Sequence, residues 1–162
     1  MTAKDTVRLE TLAAELAIRD VLHRYALGLD QQDFALIASC FTDDVKAEYS
    51  GHPLSGVQGI LELLRGAARF ERTMHHVGTA VVTMRGDEAD SQSYSIAYLV
   101  GRETDDECYL SLRAVRYIDK FRLVNGSWRI YERVHTVDWS STAPAMLAPP
   151  LPPEFLAATL GS

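Results

Sequence analysis

The chain has 162 residues, 47% of them hydrophobic and 23% charged, and a formal net charge of −6 at pH 7. This length fits one domain with one core, able to bury about 70% of its unfolded surface without disulfide or metal staples. The acidic balance and the lack of any Lys/Arg run exclude a phosphate-neutralising nucleic-acid surface. Cys40 and Cys108 form no C-x-x-C pair, and no histidine spacing around them suggests zinc, so the simplest compartment is a reducing cytoplasm. Charged residues in MTAKDTVRLETLAAEL stand where a signal peptide needs an apolar core, and no run of 18 apolar residues offers a membrane span.

In chain order, residues 6–29 predict one helix. Leu9, Leu12, Ala13, Leu16, Leu22, Tyr25, Ala26 and Leu29 recur at helical spacing, with Asp5 or Thr6 as cap. Asp33 opens a short second helix, DFALIASCF. The segment DDVKAEYS reads as a strand ended by a turn at Gly51–Pro53, and residues 56–70 read as a third helix. Four strands follow from Met74: MHHVGTAVVTM, ADSQSYSIAYLV, CYLSLRAVRYIDKFRL and WRIYERVHTVDW. The turns between them carry Asp, Asn or Gly, as tight hairpins require. Helices followed by an antiparallel meander predict an α+β fold, with helices on one face of a curved sheet. The domain is expected to span residues 1–143. The Pro-rich tail, 144–162, cannot continue a sheet and is expected to pack over the domain or fray.

Strict alternation assigns strand faces. In the first long strand Met74, His76, Ala80, Val82 and Met84 share one face, and His75, Val77, Thr79, Val81 and Thr83 the other. In the second, Tyr94, Ile96, Tyr98 and Val100 oppose Ser91, Ser93, Ser95 and Ala97. In the last, Trp128, Ile130 and Val134 oppose Arg129, Tyr131, Arg133, His135 and Val137. The small and polar face has two readings. It meets water, as antiparallel sheets often do, or it lines a cavity under the helices.

The succession RYALGLDQQDFALIASCFTDDV, then MHHVGTAVVTMRGDEA, then YIDKFRLVNGSWRIYERVHTVDW resembles the SnoaL-like branch of the nuclear transport factor 2-like superfamily. That branch includes scytalone dehydratase, a hexachlorocyclohexane dehydrochlorinase and a bile-acid dehydratase. The resemblance covers residues 9–139. It implies a cone-shaped barrel, a curved antiparallel sheet wrapped around N-terminal helices, with a pocket for a small, mostly apolar molecule. It also implies an Asp–His pair. Asp30 follows the first helix as the family aspartate does, and Tyr25 matches a functional tyrosine of the bile-acid dehydratase. The family histidine falls where this chain has His75 and His76. His75 is the choice because it shares its face with the small and polar positions, although anchoring on Gly78 and Thr79 favours His76. Arg133 matches a pocket arginine of the dehydrochlorinase, and Tyr49 lies near a substrate-facing tyrosine of scytalone dehydratase. That enzyme's second pocket histidine is replaced here near Ser93, while another histidine appears as His135. Tyr49, His76, Ser93, Ser95 and His135 are the candidate substrate contacts.

A neutral histidine is the usual general base near pH 7. Asp30 and His75 suit that role, with Tyr25 as hydrogen-bond donor and Arg133 beside developing negative charge. The set fits dehydratase-like elimination or isomerisation of a ring-containing molecule without cofactor or metal. A non-catalytic binding module, a cyclase and an epoxide hydrolase remain the alternatives. Plain structural roles also stand: Asp30 as a helix-ending turn residue, Tyr25 as core, and Arg133 and His135 as surface partners of Glu132 or Asp138. An ideal helix sets Tyr25 and Asp30 about 140° apart, so both face one pocket only if the helix ends between them. The apolar sheet face, with Tyr94, Ile96, Tyr98, Trp128, Ile130 and Val134, predicts a homodimer or homotrimer. The tail is expected to cross the cavity mouth or pack on a neighbour.

Overall fold

The computed structural model describes residues 2–66, 69–104 and 107–148. Three helices precede most of the sheet: α1 (Ala3–Gln31), α2 (Phe34–Ser39) and α3 (Gly56–Gly66). The strands are β1 (Phe41–Tyr49), β2 (His52–Ser55), β3 (Arg72–Arg85), β4 (Glu88–Arg102), β5 (Cys108–Val124) and β6 (Ser127–Ala145). They form one sheet in the order β2-β1-β6-β5-β4-β3. All neighbours are antiparallel except β1 and β6, which run parallel, so the sheet is mixed rather than purely antiparallel. Among the described residues no helix is long and apolar enough to cross a membrane.

Local chemistry sets the helix ends. Thr2 caps α1 in a reciprocal capping box with Asp5, so the helix starts earlier than its apolar periodicity implies. Its buried stripe is Ile18, Val21, Leu22 and Tyr25. Leu9, Leu12 and Leu16 are exposed, because at 100° per residue they project opposite Ile18. The Asp33 carboxylate accepts from Leu36 N at 2.9 Å and caps α2. Gly28 lets α2 approach closely, since a Cβ there would stand 2.8 Å from Ile37 Cγ1. The turn expected at Gly51–Pro53 falls at Ser50–Gly51, both with positive φ, while His52 and Pro53 already belong to β2, which pairs with β1 from His52 to Ser55.

Two bulges correct the face assignment. In β3, Gly78 and Thr79 together oppose Tyr94, which flips the alternation. Thr73, His75 and Val77 therefore point inward with Ala80, Val82 and Met84. In β6, Tyr131 is the extra residue between Ile130, opposite Phe121, and Glu132, opposite Lys120. Trp128 and Ile130 consequently join the core on the same side as Arg133, His135 and Val137. The expected external patch loses Trp128 and Ile130. The convex face instead exposes Met74, Tyr94, Tyr98, Ile118 and Trp139. β6 also runs on to Ala145, with Pro144 opposite Tyr109, past the expected domain end. It can do so because β1 pairs only with the 130–135 stretch of β6, leaving the far end an edge that needs no N–H from proline. The expected lid beyond residue 148 lies outside the described residues.

Candidate active site

The concave side of the sheet and the three helices enclose a cavity of about 350 Å³. Its walls are chiefly apolar: Leu29, Phe34, Ile37, Leu63, Leu64, Phe70, Leu99 and Val115. Ala97, the smallest wall residue, leaves space over β4 between β3 and β5. The polar groups that reach the cavity are Tyr25, Tyr49, Thr73, His75, Arg113, His135 and His52, with Gln32 and Ser50 near the loops.

Asp30 and His75 meet at one wall. His75 Nδ1 donates to Asp30 Oδ1 at 2.6 Å, Thr73 Oγ1 donates to the same oxygen at 2.9 Å, and the backbone N–H of His75 donates to Asp30 Oδ2 at 2.8 Å. Three donors from one strand thus hold a single carboxylate. With its Nδ1 proton directed at Asp30, the neutral imidazole carries its lone pair on Nε2. His75 lines the cavity and Asp30 sits behind it. The helix does not end between Tyr25 and Asp30, as the sequence required, because α1 continues to Gln31. The two residues divide the work instead: Tyr25 faces the cavity, while Asp30, about 140° round the helix, reaches β3.

A second polar cluster forms the floor. The Tyr25 and Tyr49 hydroxyls are 3.0 Å apart and buried. One hydroxyl donates to the other, so one proton stays available to a ligand. Burial first, then the neighbouring Tyr49 and Tyr117, hold the Tyr25 phenol well above its usual range. His135 stacks on Tyr49 at 4.9 Å, and its Nδ1 is buried without a partner among the described residues. Burial chiefly, and then the Arg133 charge, push His135 down to about 4, so it is neutral at pH 7.

Several expected contacts lie elsewhere. Arg133 does not line the cavity. It is 1% exposed, makes a bidentate pair with Asp119 at 2.7 and 2.8 Å, and lies 4.3 and 4.4 Å from the ring centroids of Tyr25 and Tyr117. Burial opposes its charge, but Asp119 more than offsets this and raises Arg133 above even its usual value. Asp119 takes its Nε and Nη2, and Nη1 is buried without a hydrogen-bond partner among the described residues, so the charge expected beside the reacting centre lies outside the cavity lining. Ser93 and Ser95 are buried in the sheet outside the cavity, and Ser95 Oγ donates to the His76 carbonyl at 3.1 Å beside the β3 bulge. His76 is exposed on the convex face, because alternation places it opposite His75.

Thr73 and Arg113 were not found from sequence. Thr73 shares the His75 face at a spacing of two, so the same alternation would have found it. Arg113 needed the phase of β5, where Arg113, Val115, Tyr117, Asp119 and Phe121 share the inner face.

Residues 10–134 match the SnoaL-like domain family. The chain belongs to that family. Its fold is the nuclear transport factor 2-like, cystatin-like arrangement of helices on a curved open sheet. No curated protein matches it. A scytalone dehydratase-like protein of Novosphingobium aromaticivorans is 20% identical, with TM-score 0.71 over 85% of this chain and 91% of that one. A type 3 hexachlorocyclohexane dehydrochlorinase of Novosphingobium barchaimii is 19% identical, with TM-score 0.71 over 90% and 99%. A Mycobacterium tuberculosis protein of unknown function is 28% identical, with TM-score 0.69 over 78% and 77%. This SnoaL-like chain therefore shares its fold with proteins named for elimination chemistry and with others of no known activity.

Proposed function

We propose that this SnoaL-like protein is a cofactor-free lyase or isomerase that removes a proton from a small, mostly apolar, ring-containing molecule. The observation that carries this reading is the Asp30–His75 pair at the wall of an apolar cavity. Asp30 fixes the imidazole through Nδ1, so Nε2 receives the proton and Asp30 stabilises the imidazolium that forms. The Tyr25–Tyr49 pair faces the same space and donates to a carbonyl or departing hydroxyl of the substrate. His135, uncharged, completes the floor without bringing a second positive charge beside the base. The apolar convex face, with Tyr94, Tyr98 and Trp139 exposed, fits burial in a homodimer or homotrimer. A monomeric mass by light scattering at micromolar concentration would contradict that assembly.

The test of the chemistry is deuterium uptake from D2O by small cyclic ketones such as 2-tetralone, followed by proton NMR. His75→Ala is expected to lower enzymatic exchange about 10²–10⁴-fold. Asp30→Asn should approach the same loss, and the double variant should be no worse than the single ones, because the residues act as a unit. Additive losses, or exchange unchanged in His75→Ala, would leave the binding-module reading in its place.

A further inference from the structure

β5 carries three arginines in its inner and outer rows, and they are treated differently. Arg116 is paired with Asp138 at 2.6 Å, and Arg122 is paired with Asp44. Arg113 has no carboxylate within ion-pairing distance among the described residues, yet it lines the cavity. Its guanidinium carbon lies 5.8 Å from the Phe70 ring centroid, near the outer limit of a cation–π contact, and its charge helps to hold His135 low. A guanidinium offers five N–H donors in a planar fork and stays charged at any physiological pH. Such a group, set among Leu99, Val115 and Phe70 without a counter-ion among the described residues, favours an anion from outside the chain.

Its position relative to the dyad is fixed by register. Arg113 is opposite Ala97 on β4, and Ala97 is opposite His75 on β3. The three residues form one row across adjacent strands, all on the concave face. Two inter-strand spacings put the backbones of His75 and Arg113 roughly 10 Å apart. Ala97, between them, contributes only a methyl group. An apolar ring over Ala97 would thus have one end at the His75 imidazole and the other at the Arg113 fork.

We infer that Arg113 is an anion-binding residue and that the ligand is a ring compound bearing a carboxylate, held with its reactive C–H toward His75. The inference rests on the reading of the cavity as a substrate site. The charge-selective half of it does not depend on any proton being moved. Arg113 acts on the bound substrate, not on the transition state alone, so its loss appears in KM more than in kcat.

The test uses an isosteric pair of inert probes, 2-naphthoate and 2-naphthamide, titrated calorimetrically into the full chain at pH 7. The wild-type protein is expected to bind the carboxylate about tenfold or more tightly than the amide. Arg113→Gln should abolish that preference and leave the amide affinity unchanged. Arg113→Lys should retain part of it, which guards against a glutamine variant that fails to fold. A wild type with no preference, or one that binds neither probe, overturns the inference, as does a glutamine variant that weakens both probes equally. Charge-selective binding with no deuterium exchange would sink the proposed chemistry alone. Exchange with no charge selectivity would sink the anion site alone.

Discussion

Two acid–base pairs of this protein, Asp119–Arg133 between β5 and β6 and Asp30–His75 between α1 and β3, differ in what they leave free. Asp119 and Arg133 meet with both side chains wholly buried, and each guanidinium–carboxylate contact is spent on the partner. Asp30 and His75 are 12–22% exposed at the side chain, and only one imidazole nitrogen is spent. The first pair carries its own neutralisation and offers nothing to a ligand. The second uses three donors to lock a carboxylate, and its histidine, bonded to Asp30 through Nδ1, lines the cavity. A charged group of functional type is thus informative only once its partner is known. Arg133 and Arg113 make the same point: the arginine that resembles a family pocket residue has its charge met by Asp119, and Arg113, on the neighbouring strand, meets no carboxylate among the described residues.

The sharpest way to break the contrast is to remove one member of each pair. Asp119→Ala leaves the Arg133 guanidinium buried without its counter-charge, and the expected loss of stability is about 3–5 kcal/mol by urea denaturation. Asp30→Asn keeps the shape of a partly exposed site, so its loss should be clearly smaller. Equal losses would show that the two pairs do the same structural work.

A smaller effect is expected from the floor of the cavity. His135 is held down at about 4, against 6.5 for the free side chain, mainly by burial. Between those values the unfolded chain binds the extra proton and the folded chain does not. Stability therefore falls as pH is lowered from about 6.5 toward 4, and is fully present above that window. His135→Gln should flatten this part of the melting-temperature profile. An unchanged slope would assign the pH dependence to other groups.

Most of the architecture was legible because helix periodicity, capping residues and hairpin turns are local signals. Asp33 as a cap and the four long strands from Met74 needed nothing beyond their neighbours in sequence. What strict alternation could not supply was the pair of bulges at Gly78–Thr79 and Tyr131, which reverse the faces of β3 and β6 partway along. Trp128 and Ile130 were placed outside for that reason, and the parallel pairing of β1 with β6 is a long-range choice no local pattern encodes. At the site, the resemblance brought Asp30, His75, Tyr25 and Tyr49 to notice, and the structure places all four at or against the cavity. It could not reveal that Asp119, fourteen residues before Arg133, would claim that arginine.

The central claim is that Asp30 fixes the His75 ring so that a bare Nε2 faces the cavity. Long-range proton–nitrogen correlation spectra of the histidine side chains, at a pH where this imidazole is neutral, read that directly. The expected result is a single Nδ1–H tautomer for His75 in the wild-type protein, giving way to a tautomer mixture in Asp30→Asn. An Nε2–H tautomer in the wild type, or spectra identical in the two proteins, would contradict it.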